Sequence, residues 1–138
     1  MYEHTMMHFQ NGWPIPGSVV SVPTHLIYRH MGIVSDVVGD DGKPMVISNS
    51  LGAGGIAEEP WDIFSSGHEV RNDGYLGALS PLQVLYRARF SQRRKYDALA
   101  WNCENFVNYC HGVPVTSSQV VTTLLVVLAG TALLTAKA

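Results

Sequence analysis

Asn102-Cys103-Glu104-Asn105-Phe106-Val107-Asn108-Tyr109-Cys110-His111-Gly112 is the stretch on which the reading of this chain turns. Asn102 is a good helix cap, and Cys103, Phe106, Val107 and Cys110 recur at i, i+3, i+4 and i+7, so an apolar stripe runs along one face of a helix. Gly112 and Pro114 should end that helix. Cys103 therefore falls in the first turn, where unpaired N–H groups and the helix dipole favour a thiolate. Its own N–H is placed to hold an oxyanion. A buried packing cysteine is the alternative that position alone leaves open. Cys110 lies two turns away, roughly 10 Å along the axis, too far for a disulfide with Cys103.

Upstream, Pro14-Ile15-Pro16-Gly17 reads as a rigid turn and Ser18–Val22 as a short strand stopped by Pro23. Leu26–Val38 reads as a longer strand. It carries His30, with Tyr28 on the same face and Arg29 and Met31 on the other. Gly39–Pro44 is a turn cluster, and Met45–Asn49 is the partner strand of a hairpin. A rigid strand suits a general base, and Ser48 or Asn49 on the neighbouring strand would orient the imidazole. Residues 50–59, with Gly52, Gly54 and Gly55, match no phosphate-binding spacing and read as a mobile loop or lid. Pro60–Phe64 reads as one helical turn or an extended aromatic anchor, and His68–Arg71 as a short strand. Ser80-Pro81-Leu82-Gln83 is a capping box with proline at the first helical position, opening a helix to about Phe90. The predicted class is α+β: a small antiparallel sheet with a packed, cysteine-bearing helix and an apolar C-terminal helix.

Asn102-Cys103-Glu104-Asn105-Phe106-Val107 resembles the Asn-Cys-Glu-His-Phe-Val motif of the lecithin retinol acyltransferase family. Tyr28-Arg29-His30-Met31-Gly32-Ile33-Val34 resembles that family's histidine strand, and Val46-Ile47-Ser48 its next strand. Pro16-Gly17 and the segment Gly112 to Val120 are also similar, so the resemblance covers roughly residues 14–120. It implies a permuted NlpC-type papain-like fold, with Cys103 as nucleophile and His30 as base of a thiol acyltransferase or phospholipase A acting on glycerolipid esters. The family's third position is usually a second histidine. Here it is Ser48, whose hydroxyl is a weaker partner for the imidazole, with Asn49 as the substitute. The position after Cys-Glu is Asn105, which is assigned no chemistry.

The 138 residues suit one domain: an arm over 1–13, the catalytic domain over 14–118 and an apolar tail over 119–138. Apolar residues make up 46% and charged ones 14%, and no Asp, Glu, Lys or Arg occurs from Asn105 to Ala136. Val120–Ala136 would span about 25 Å as a helix, against a hydrocarbon core of about 30 Å. A thin span, an interfacial helix or self-association through the tail are the open choices, and the resemblance favours a membrane anchor. A net charge of −2 gives no general case for nucleic acid. The basic cluster Arg87, Arg89, Arg93, Arg94 and Lys95 reads as a solvated helix face or a patch for anionic lipid. Glu104 is expected to face solvent or the helix N-terminus. His25, His111 and Cys110 match no metal-ligand spacing with His30, so neither metal nor cofactor is expected. Without a signal peptide or disulfide pattern, the expected location is cytoplasmic and membrane-associated. Two other functions stay open. One is a cysteine peptidase or amidase of the NlpC-type group. The other is a catalytically silent membrane- or partner-binding module, like the viral proteins that share these histidine and Asn-Cys motifs.

Overall fold

The computed structural model describes residues 12–24, 28–91, 94–115 and 118–136. Most of the expected arm, His25 to Ile27 and Arg93 lie outside them. Five strands, β1 (Val19–Pro23), β2 (Arg29–Val38), β3 (Pro44–Ser50), β4 (Gly55–Pro60) and β5 (Arg71–Gly74), form one antiparallel sheet in the order β4-β3-β2-β1-β5. Among the described residues four helices accompany it: α1 (Trp61–Ser65), α2 (Pro81–Phe90), α3 (Cys103–His111) and α4 (Ser118–Ala136). The α+β class and antiparallel sheet are as the sequence predicts. There are two exceptions: β5 covers Arg71–Gly74, not the His68–Arg71 read from the sequence, and β4 begins inside the stretch read as a lid. The glycines there serve a turn, and Ile56 to Glu59 then pair with β3 from Asn49 back to Val46.

The sheet is covered on both faces, and alternation along β2 sets which residue meets which layer. Val19, Ile33 and Ile47 pack with Val84, Leu85 and Ala88 of α2 and Phe106, Val107 and Cys110 of α3, around a buried Trp101. On the other face Val20, Val22, Val34 and Val46 pack with Phe64 of α1, flanked by Trp13, Trp61 and Val70. Gly32 lets Phe64 approach the strand. A Cβ there would lie 2.6 Å from Val46 Cγ1, 3.0 Å from Phe64 Cε2 and 3.1 Å from the Ile47 carbonyl.

The helix starts are those the sequence marks. Ser80 accepts from the Gln83 N–H while Gln83 reaches back to the Ser80 N–H. The C-cap of α3, Gly112, is left-handed at φ 69°. Three side chains of the basic cluster are engaged within the fold. Arg87 donates to the Tyr109 carbonyl and lies over its ring, Arg94 stacks 3.9 Å above Trp101, and Arg89 bonds to Asp36 and Glu58.

α4 is helical as expected, but most of it lies off the body. Val121 and Leu124 to Leu128 are each 51–65% exposed. Among the described residues no helix is long and apolar enough to cross a membrane.

Gly32→Ala should push Phe64 off the sheet and cost about 1–3 kcal/mol. Urea unfolding followed by tryptophan fluorescence should show a lower midpoint with an unchanged slope. An unaltered midpoint would mean that Phe64 yields without cost.

Candidate active site

Cys103 is the first residue of α3, and three side chains fix that end of the helix. The Asn102 side chain accepts from the N–H groups of Glu104 and Asn105, each at 3.0 Å. Asn105 returns the favour, its Oδ1 accepting from the Asn102 N–H at 3.0 Å, which completes a capping box. Asn49 reaches over from β3, its Nδ2 donating to the carbonyls of Trp101 at 2.7 Å and Asn102 at 3.4 Å. Asn105, left without a role by the sequence, is thus part of the cap. Its spacing of three from Asn102 is the signal that marks it.

The Cys103 thiol meets β2 where the sheet opens. The register of β2 with β3 ends at Gly32↔Ser48. Just beyond, the thiol donates to the Arg29 carbonyl at 3.6 Å. Burial is the largest influence on this thiol and pushes its pKa above the ordinary value. The adjacent Glu104 carboxylate pushes the same way, while the N–H groups of Met31, Glu104 and Cys103 itself pull it down without reversing the direction. The thiol is therefore neutral at physiological pH.

His30 is held differently. β2 presents it on the face of Gly32 and Val34, and its ring packs on Phe64 with centroids 5.1 Å apart. Cys103 arrives from the α3 side. The two residues line one cavity of about 620 Å³, but no hydrogen bond joins them. Burial lowers the His30 pKa, so the imidazole is neutral.

Neither proposed orienter engages that ring. Ser48 is buried on the Phe64 face, opposite Gly32 and Ala57, without a hydrogen bond to His30. Asn49 belongs to the other face, where it holds the start of α3. The alternation that puts Ile47 in the α3 layer puts Asn49 there too.

Polar groups at the rim of the cavity lie among apolar ones: Leu51, Leu99, Val120 and Leu124 wall it, with Tyr28, Tyr96 and Asn102 between. α4 forms one side and is tied down twice. Glu104 Oε1 accepts from the Ser118 N–H at 3.0 Å and the Ser118 hydroxyl at 2.6 Å, and the Tyr28 hydroxyl bonds to Thr123. Glu104 is thus buried at 9% exposure and faces α4, not solvent. A larger groove of about 780 Å³ along Leu82, Tyr86 and Phe90 of α2 is lined by neither Cys103 nor His30.

The remaining candidates are structural. Cys110 sits in the α3 core with its pKa driven up by burial. His111 is buried at 1% exposure between the Gly17 carbonyl, 2.8 Å from Nε2, and the Leu76 N–H, which donates to Nδ1 at 3.4 Å. No group among the described residues brings together three side chains able to hold a metal. Compared with family models and with curated proteins, the chain matches none.

Burial depresses both His30 and His111, and the sign of the pH effect follows. The unfolded chain takes up protons at these sites below about pH 6.5, where the folded chain resists them. The stability is complete above that pH and is lost as pH falls through the lowered folded values. Urea midpoints should therefore drop between pH 7 and 5, and His111→Gln should flatten part of that slope. An identical slope in the variant would remove His111 from the account.

Proposed function

We propose that this protein is a thiol acyltransferase or lipid hydrolase that acts on glycerolipid esters through Cys103, at a membrane met by α4. The observation that carries the reading is the placement of Cys103, in the first turn of α3, facing a largely apolar cavity that His30 also lines. The resemblance of the histidine and Asn-Cys segments to the lecithin retinol acyltransferase family supports it, as does the α+β class with a cysteine-bearing helix on an antiparallel sheet. An apolar cavity suits an acyl chain better than a peptide, so the peptidase or amidase reading ranks lower. The exposed apolar residues of α4 suit an interfacial position, one side in lipid and the first turn tied to the body.

In the proposed reaction the thiol leaves the Arg29 carbonyl and gives its proton to His30. The sulfur attacks the ester carbonyl, and the Cys103 N–H receives the developing oxyanion. The lysolipid alkoxide leaves with the proton from His30, and a thioester remains on Cys103. Water or a second acceptor then takes the acyl group.

One arrangement favours a second reading. The thiol is neutral, bonded to a backbone carbonyl and apart from His30, as a silent lipid- or partner-binding module would have it.

Intact mass after incubation with mixed phospholipid vesicles separates the two. Acyl transfer predicts a fatty-acyl adduct and released lysophospholipid for wild type and neither for Cys103→Ala. Vesicle binding without adduct or lysolipid would leave the binding module.

A further inference from the structure

Turn tips favour small and polar residues, because an apolar side chain at a tip gains nothing from folding. Two turns of this chain break that pattern, and both stand at the mouth of the Cys103 cavity. Leu51 opens the turn after β3 and is 76% exposed, more than any other large apolar side chain among the described residues. Leu99, in the turn before α3, is 68% exposed. Both line the cavity, and so does the exposed Leu124 of α4. Apolar residues scattered singly over a surface need no partner, but three from three separate elements around one opening point to a contact.

Each tip is held by its own backbone. The Gly54 N–H donates to the Leu51 carbonyl at 3.0 Å, and the Ala53 N–H to the Ser50 hydroxyl at 3.1 Å. Asp97 Oδ1 accepts from the N–H groups of Leu99 and Ala100 at 2.9 Å each, and Asp97 and Trp101 exchange two backbone bonds of 2.9 Å. A bridge between Gly55 and Lys95 joins the two turns to each other. The leucines therefore ride on one braced support beside α4.

The charges around this opening say what kind of surface it fits. Residues 50–57 carry no charged side chain, and neither does α4. Behind the tips, Lys95 is exposed and enters no ion pair among the described residues, and Arg94 stays exposed while stacked on Trp101. Asp97 is the one carboxylate of the second turn, and its Oδ1 is committed to the Leu99 and Ala100 N–H groups. Apolar tips with cations behind them match a phospholipid layer that carries negative head groups.

We propose that Leu51 and Leu99, with Leu124 of α4, are the docking face that sets the cavity mouth on an anionic phospholipid surface, with Arg94 and Lys95 at the head groups. α4 alone would tether the body in any orientation. The two turns select the one in which the cavity opens into lipid, so that an acyl chain reaches Cys103 without crossing water. The inference rests on the lipid reading of the site, not on the chemistry at Cys103.

The test is co-sedimentation of the full-length chain with vesicles of phosphatidylcholine, alone or with added phosphatidylserine. Leu51→Ser and Leu99→Ser should each weaken partitioning about 10-fold on both kinds of vesicle. Lys95→Ala should cost about 5-fold on the phosphatidylserine vesicles only. Leu82→Ser/Tyr86→Ser, which removes equally exposed residues from α2, should bind as wild type. Urea midpoints confirm that each variant is folded, and the single variants carry the test should the double leucine variant fail to fold. Wild type that ignores both vesicles overturns the docking face, as do leucine variants that bind like wild type or an α2 variant that loses as much as they do. Mass gain on wild-type Cys103 from soluble p-nitrophenyl butyrate reports the chemistry separately. Leucine-dependent binding without that gain would uphold the docking face while the acyl-transfer reading fails.

Discussion

The start of α3 is the point on which the rest of the site depends. A helix N-terminus exposes backbone donors that must find partners, and here they are met by the Asn102 cap and its reciprocal bond with Asn105. Asn49 adds a tie from the sheet to the carbonyls just before the helix. These bonds are each worth about 1 kcal/mol. Their larger effect is geometric. They bring the helix up to the sheet at the place where β2 and β3 part, so that the side chain of the first helical residue meets the backbone of β2.

The same sheet sets what His30 can reach. β2 gives Ile33 to the α3 layer and Gly32 and Val34 to the Phe64 layer, and His30 follows the second set. Gly32 admits the Phe64 ring close against the strand, and that ring in turn supports the imidazole. Cys103 and His30 thus approach one cavity from different layers.

Much of this was legible in the chain. The Ser80 and Asn102 caps, the helical stripe of Cys103, Phe106, Val107 and Cys110, and the strand around His30 are local patterns, and local patterns are what a sequence states directly. What was not legible depends on tertiary placement. β4 hid among glycines because its pairing with β3, not its own propensity, makes it a strand. Asn49 looked like a partner for His30, but the face it occupies follows from register, which no single segment fixes. Glu104 looked solvent-facing because nothing local shows that Ser118 would return to bond it.

The electrostatics of Cys103 weigh two opposed effects, and magnitude decides between them. A helix N-terminus stabilises a negative charge by about 0.3–1 kcal/mol, up to roughly 2 in a partly buried setting. That corresponds to little more than one pKa unit. Desolvation of a buried group reaches several units, and Glu104 adds to it at close range. The burial that wins comes in part from α4, whose first turns wall the cavity. The carboxylate that opposes the thiolate is also the one that anchors α4, through both the N–H and the hydroxyl of Ser118. Release of α4 would therefore do two things together. It would readmit water to the thiol, and it would free the Glu104 carboxylate to turn toward solvent. On the acyl-transfer reading both changes act in one direction, toward a thiolate.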